Sequence, residues 1–172
     1  MESTAERTRY ITILRHLFSI VMHNFISDIS HYDIVLNLAI QAKNSLWIGT
    51  ADIKDLYVIQ GQTEKPFLGI LSELIGHGVE VLLIHAKEPG PNFCKDFDKY
   101  PSLARMLERV LCPRVHFKII IIDQKICYIG SANLTGAGMG MKSAYRRNFE
   151  AGILTDNSDI VNAAFEEFDK VW

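Results

Sequence analysis

Apolar and polar positions fall into blocks along this chain, and the blocks have two different periods. Val115–Asp123, which holds Ile119 to Ile122, and Ile126–Gly130 are short, nearly continuous apolar runs rich in β-branched residues. Runs of that kind suit strands buried on both faces. The polar break between them predicts a hairpin. Ser45–Thr50, Val79–His85 and Phe149–Leu154 predict three further strands. Helical spacing predicts a helix over Asp33–Lys43 (Ile34, Val35, Leu38, Ala39 and Ala42 on one side); Pro66, suited to a first turn, opens a second over Pro66–Ile75, and the Leu- and Arg-rich Pro101–Leu111 is a third. A last helix begins at Ser158 or Asp159 and turns Ile160, Ala163, Ala164, Phe168 and Val171 inward. Helix and strand alternate through the first half, which implies parallel strands joined by crossovers.

The N-terminal stretch is the hardest to read. Ile11, Leu14, Phe18, Val21 and Phe25 recur at helical spacing, so residues 1–30 are expected to form an amphipathic extension, leaving 31–172 as the main folded domain. Arg15, His16, His23 and Asn24 interrupt the apolar run, which speaks against a membrane anchor. A length of 172 residues is enough for one substantial core. Cys94, Cys112 and Cys127 are odd in number and suit no metal site, which points to a reducing, cytoplasmic setting with Cys127 as a small core residue.

Charge changes the picture through its distribution. The whole chain carries a formal −2. Between Arg105 and Arg147 there are eight basic residues against Glu108 and Asp123, a local +6 that leaves −8 for the remainder. A positive segment in an acidic body fits an anionic substrate drawn to one face.

That segment contains the predicted hairpin. With Gln124 and Lys125 as the loop, His116 is expected opposite Asn133 and Lys118 opposite Ser131. Alternation along a strand puts His116 and Lys118 on one face. An imidazole, an ammonium, a hydroxyl and an amide then converge at the open end, and all four can act on a phosphate. Asp123 lies seven positions from His116, roughly 23 Å along an extended strand, and belongs to the turn.

The run His116-x-Lys118-x4-Asp123-x6-Gly130-Ser131-x-Asn133 resembles the motif of the phospholipase D superfamily, and every position matches. Asn148-Phe149-Glu150 resembles the downstream Asn-x-Glu element of the same superfamily. The resemblance implies an α/β fold with a mixed, largely parallel sheet sandwiched between helices, one motif half per chain. It also implies phosphodiester cleavage through a phosphohistidine, with no metal and no cofactor. His116 would be the nucleophile; Lys118 and Asn133, supported by Ser131, would stabilise charge on the phosphoryl oxygens, and Glu150 would hold the imidazole tautomer. His85-Ala86-Lys87 repeats the His-x-Lys spacing, but no Gly-Ser-x-Asn follows it. It is read as a strand end.

Other candidates are weaker. Arg146 and Arg147 suit either substrate phosphates or a solvated surface, and Gly136 in the glycine-rich run after Asn133 suits either a phosphate cradle or a turn. The superfamily's reaction needs two imidazoles, one neutral to attack and one protonated to release the leaving group, and this chain has one complete motif. A homodimer with a composite site is therefore expected; a partner protein supplying the second motif is the alternative. Small single-motif members are often endonucleases, so nucleic acid is expected as substrate ahead of membrane lipid. A dimeric nucleic-acid-binding module without turnover is the remaining reading.

Overall fold

The computed structural model describes residues 21–54, 56–60 and 63–172. In chain order the elements begin with β1 (His23–Ser27), a π-helical stretch (His31–Leu36) that runs into α1 (Asn37–Ala39), and β2 (Ser45–Thr50). A small hairpin of β3 (Tyr57–Gln60) and β4 (Thr63–Pro66) leads into α2 (Phe67–Gly76), then β5 (Glu80–His85), α3 (Pro91–Phe97), α4 (Pro101–Met106) and β6 (Glu108–Leu111). The motif hairpin is β7 (Lys118–Ile122) and β8 (Ile126–Gly130), and β9 (Ala151–Thr155) and α5 (Ser158–Asp169) close the domain.

Seven strands form one sheet in the order β1-β9-β8-β7-β2-β5-β6. β2, β5 and β6 pair in parallel, and β7, β8, β9 and β1 add on as antiparallel neighbours. Only β7 and β9 run against the other five. Parity along the strands divides the core in two. Leu46, Ile48, Val81, Leu83, Ile120, Ile122, Tyr128 and Leu154 face one layer of helices, which contributes Val35, Leu36, Leu68, Leu71, Phe93 and Leu103. Trp47, Leu82, Ile84, Ile119, Ile121 and Cys127 face the other, where α5 packs through Val161, Ala164 and Phe168. The α/β sandwich with a mixed sheet between helices is therefore as expected. Burial pushes the Cys127 thiol up to about 11, as befits a core residue.

Three expectations are corrected. Residues 1–20 of the predicted N-terminal helix lie outside the described residues, and its last part is the edge strand β1, paired with β9 from His23↔Thr155 to Ser27↔Ala151. The helix predicted over Pro101–Leu111 stops at Met106, because Glu108–Leu111 pairs with Leu82–His85 and extends the sheet. Strand pairing there outweighs local helical preference. Asp33–Lys43 is helical only through Ala39.

The third of these has a local cause that also explains Asp123. The Asp123 carboxylate accepts hydrogen bonds from three consecutive backbone N–H groups, Lys43 (3.0 Å), Asn44 (2.6 Å) and Ser45 (3.1 Å), and its own N–H donates to the Ser45 carbonyl at 2.8 Å. These bonds turn the chain from α1 into β2. Asp123 and Gln124 both have φ of +52°, and the Lys125 N–H donates to the Ile122 carbonyl at 3.0 Å. The turn is thus one residue earlier than expected. Lys118 pairs with Gly130, not with Ser131, and His116 and Asn133 lie beyond the ends of the two strands. An aspartate accepts positive φ more readily than most residues, which favours the earlier position.

Partial burial works against the Asp123 charge, but the amides of Asn44, Ser45 and Lys43 more than offset it and hold the carboxyl below its usual range. A carboxylate with a lowered native pKa contributes stability above its unfolded pKa, and that stability is lost as pH falls through the native value. Asp123→Ala is expected to cost about 1–3 kcal/mol in neutral denaturant melts. The difference from wild type should shrink in acid below the carboxylate range, and Asp123→Asn, which tolerates the backbone angle, should cost less.

Candidate active site

The register set at the Asp123 end of β7 determines what meets at the other end. Ile120 pairs with Ile48 and Ile119 with Gly49, so Lys118 comes level with Thr50 on one side and with Gly130 on the other. Gly130 pairs in turn with Gly152, two residues past Glu150. The chain segments that carry His116, Lys118, Ser131, Asn133 and Glu150 therefore leave the sheet at one edge, where β2, β5 and β8 end and β7 and β9 begin.

Phe117, between His116 and Lys118, anchors the motif. Its ring occupies the space that a side chain at position 49 would need, which requires glycine there. His116 is exposed, whereas Lys118 is 7% exposed. A buried ammonium must be hydrogen-bonded. Lys118 Nζ donates to the His116 carbonyl at 2.8 Å and lies 3.4 Å from the imidazole Nδ1. With three donors to place, the ammonium keeps a direction for a ligand beside the imidazole.

Asn133 is held by groups that the sequence reading did not single out. Its Oδ1 accepts from the Asp52 N–H at 3.1 Å and lies 3.3 Å from the Thr50 hydroxyl. Thr50 also accepts from the Leu134 N–H at 3.1 Å and donates to the Asp52 carbonyl at 2.8 Å. With the carboxamide oxygen fixed from behind, the Nδ2 group is left as the donor end. Thr50 is 1% exposed. The one available signal was its place at the carboxyl end of a parallel strand, where ligands of open sheets gather.

Ser131 and Glu150 form a separate unit. The Ser131 hydroxyl donates to Glu150 Oε2 and accepts from the Ala151 N–H at 3.1 Å, while Asn148 Nδ2 donates to Glu150 Oε1 at 3.0 Å. In this chain the Glu150 carboxylate is thus bonded to Ser131 and Asn148 rather than to the His116 imidazole that it was expected to hold. Gly130 is required beneath this unit. A Cβ there would fall on the Tyr128 hydroxyl and come 2.7 Å from the Ala151 carbonyl. Burial pushes the Tyr128 phenol up to about 12; the Ala132 amide opposes that shift and the nearby Glu150 charge adds to it.

The weaker candidates separate. Arg147 is engaged by Asp28 at 2.7 Å, and Arg146 is exposed. Gly136 lies under the Lys142 side chain, whose Cε would be 3.3 Å from an added Cβ. Asp123 is at the far end of β7. His85 is buried, with Nδ1 against the Lys87 carbonyl at 2.7 Å and Nε2 without a partner. No three His, Cys, Asp or Glu side chains gather as a metal site among the described residues. None of the described helices is long and apolar enough to cross a membrane.

An exposed imidazole, a buried lysine and an oriented carboxamide thus lie at one end of an α/β sheet sandwiched between helices. Residues 35–172 match the family model described as "Cardiolipin synthase, PLD-like domain", and the chain belongs to that phospholipase D-like family. Among solved structures it is similar to NucT from Helicobacter pylori, at 18% identity and TM-score 0.63 over 88% of this chain and 96% of that one. It is similar to the same extent to Nuc from Salmonella typhimurium, a phospholipase D family member, at 18% identity and TM-score 0.63 over 89% and 93%. TrmBL2, an archaeal chromatin protein, matches at 12% identity and TM-score 0.60 over 98% of this chain and 60% of that one. No curated protein matches in sequence.

Removing the Thr50 hydroxyl would leave the Leu134 N–H unsatisfied in a buried position. Thr50→Val is expected to cost about 1–3 kcal/mol in thermal or denaturant unfolding, and Thr50→Ser much less. Equal stability of the valine variant and wild type would contradict the hydrogen-bond pattern around Asn133.

Proposed function

We propose that this protein is a metal-independent phosphodiesterase, an endonuclease that cleaves DNA or RNA through a phosphohistidine at a site shared by two copies of the chain. The observation that carries this reading is the set of donors around His116: an exposed imidazole flanked by the Lys118 ammonium, with the Asn133 carboxamide oriented from behind. Membership of the phospholipase D-like family supports phosphodiester chemistry. Similarity over nearly the whole length of NucT and Nuc supports the small, single-motif form of the domain. The local positive charge and the likeness to TrmBL2, a chromatin protein with a novel mode of DNA binding, support nucleic acid as the substrate.

In this mechanism the imidazole of His116 in one copy attacks phosphorus. A P–N bond forms as the P–O bond to the leaving strand breaks, and His116 of the second copy protonates the departing oxygen. That second imidazole, now neutral, takes a proton from water. The resulting hydroxide attacks phosphorus, the P–N bond breaks and a phosphate monoester is released. Lys118 and Asn133 bear the negative charge on the non-bridging oxygens in both steps. Glu150, held by Ser131 and Asn148, positions an imidazole once the site is assembled.

The need for a second copy follows from the histidines within reach. Among the described residues, His31 and His85 are buried, and His23 and His77 lie at the opposite end of the sheet. Among the described residues, His116 thus has no exposed imidazole beside it.

The test compares DNA, RNA and anionic phospholipid vesicles as substrates, with wild type and His116→Ala, in excess EDTA. Wild type is expected to cut nucleic acid at an undiminished rate with chelator present, and His116→Ala to lose turnover by about 10³-fold or more while its melting is unchanged. Light scattering should give twice the chain mass. Loss of activity on chelation, an unaffected alanine variant, or a fully active monomer would each overturn the mechanism. Cleavage of the phospholipid alone would replace the substrate.

A further inference from the structure

The donors around His116 account for one phosphate. A second feature lies beside them, in a groove of about 410 Å³ between the start of β3 and the glycine-rich loop. Its walls include Lys54, Tyr57, Thr135, Gly136, Met141 and Lys142. The groove is continuous with the site through the backbone. Leu134, next to Asn133, forms a parallel bridge with Ile53, and its carbonyl accepts from the Lys54 N–H at 3.0 Å. The Thr135 N–H donates to the Asn133 carbonyl at 2.7 Å. One wall of the groove is therefore the chain directly after Asn133, and the other is the chain directly after Thr50 and Asp52, the two residues that orient it.

Its chemistry is that of an anion site with an apolar floor. Lys54 stands on one wall, 69% exposed in its side chain, with Asp52 at 3.7 Å as its ion-pair partner. Lys142 stands on the other, exposed, and forms no ion pair with the described residues. Its stem crosses Gly136, where a side chain would crowd it. The half-exposed Tyr57 ring and Met141 line the same groove as the two lysines. Two cations against one carboxylate favour a negative ligand, and a flat ring beside them suits a base or a sugar face. An open groove that leads away from a reaction centre suits a polymer, because a strand must continue past the bond being cut.

We infer that the groove between Lys54 and Lys142 is a subsite for a nucleic-acid strand, taking the phosphate that neighbours the scissile one between the two ammonium groups, with its nucleoside against Tyr57. The inference rests on the nuclease reading and deepens it, since it assigns residues that act on a strand and not on an isolated phosphodiester.

The experiment uses the full chain, with Lys54→Gln/Lys142→Gln and Tyr57→Ala variants, on two substrates: a single-stranded oligonucleotide and bis(p-nitrophenyl) phosphate, which has no neighbouring phosphate. The double lysine variant is expected to lose about tenfold or more in kcat/KM on the oligonucleotide and to keep its rate on the small diester. Its salt dependence on the oligonucleotide should be shallower, by about one unit of log–log slope for each lysine that meets a phosphate. Tyr57→Ala should raise KM for the oligonucleotide about tenfold, again without effect on the small diester. An unchanged oligonucleotide rate in the variants, or an equal loss on both substrates, would overturn the subsite while leaving the nuclease reading in place. A wild-type protein that hydrolyses the small diester or phospholipid vesicles but no oligonucleotide would overturn both.

Discussion

The Asp123 carboxylate on three consecutive amides is the constraint on which the rest of the site depends. It touches no candidate catalytic group. It fastens the turn of the motif hairpin to the chain entering β2, and so fixes how β7 lies along β2. A slip of one residue in that pairing would move every side chain of β7 to the opposite face. Lys118 would then leave the row it shares with Thr50, and Asn133 would lose its geometric relation to Lys118. The aspartate of the motif acts from the far end of a strand, through register.

At the working end, the pattern of satisfied and unsatisfied groups is what makes a site. The Asn133 oxygen is occupied by Asp52 and Thr50, so its amide nitrogen is presented. The Lys118 ammonium is buried on a single firm acceptor, the His116 carbonyl, which places its charge beside the imidazole. Ser131 and Glu150 satisfy one another. Glycines at 49 and 130 are needed because Phe117 and Tyr128 fill the volume where side chains would be. Each ring braces a residue that bears on the site: Phe117 sits between His116 and Lys118, and Tyr128 supports the strand end that leads to Ser131.

One chain holds half of what the proposed phosphohistidine chemistry requires. Its exposed imidazole has no counterpart in reach among the described residues. The proposed second copy and the proposed strand groove address different needs. The copy supplies the proton donor, while the groove, built from residues directly after Thr50 and Asn133, supplies the hold on a long substrate. The first follows from the lone exposed imidazole, the second from how little of a polymer a single phosphate-binding cluster can contact.

How much of this was legible before folding differs from residue to residue. The apolar runs at Ser45–Thr50 and Ile126–Gly130 became strands with those bounds, because a continuous β-branched stretch has few other ways to be buried. The motif spacing singled out His116, Lys118 and Asn133 as candidates, since fixed intervals along a strand and its return place chemical groups in one dimension. Residues Pro101–Leu111 could not be divided into helix and strand from their own pattern, because pairing with β5 decides where the helix ends. The position of the turn depended on Asp123 finding the amides of Lys43, Asn44 and Ser45, some eighty residues away in the chain. Asp52, Lys54 and Lys142 had no local mark as parts of a site, and Thr50 had only its place at the end of a strand. Composition and periodicity along the chain determined the layers and the chemical groups; contacts between distant segments, which no local pattern encodes, decided the register, the orientation of Asn133 and the groove beside it.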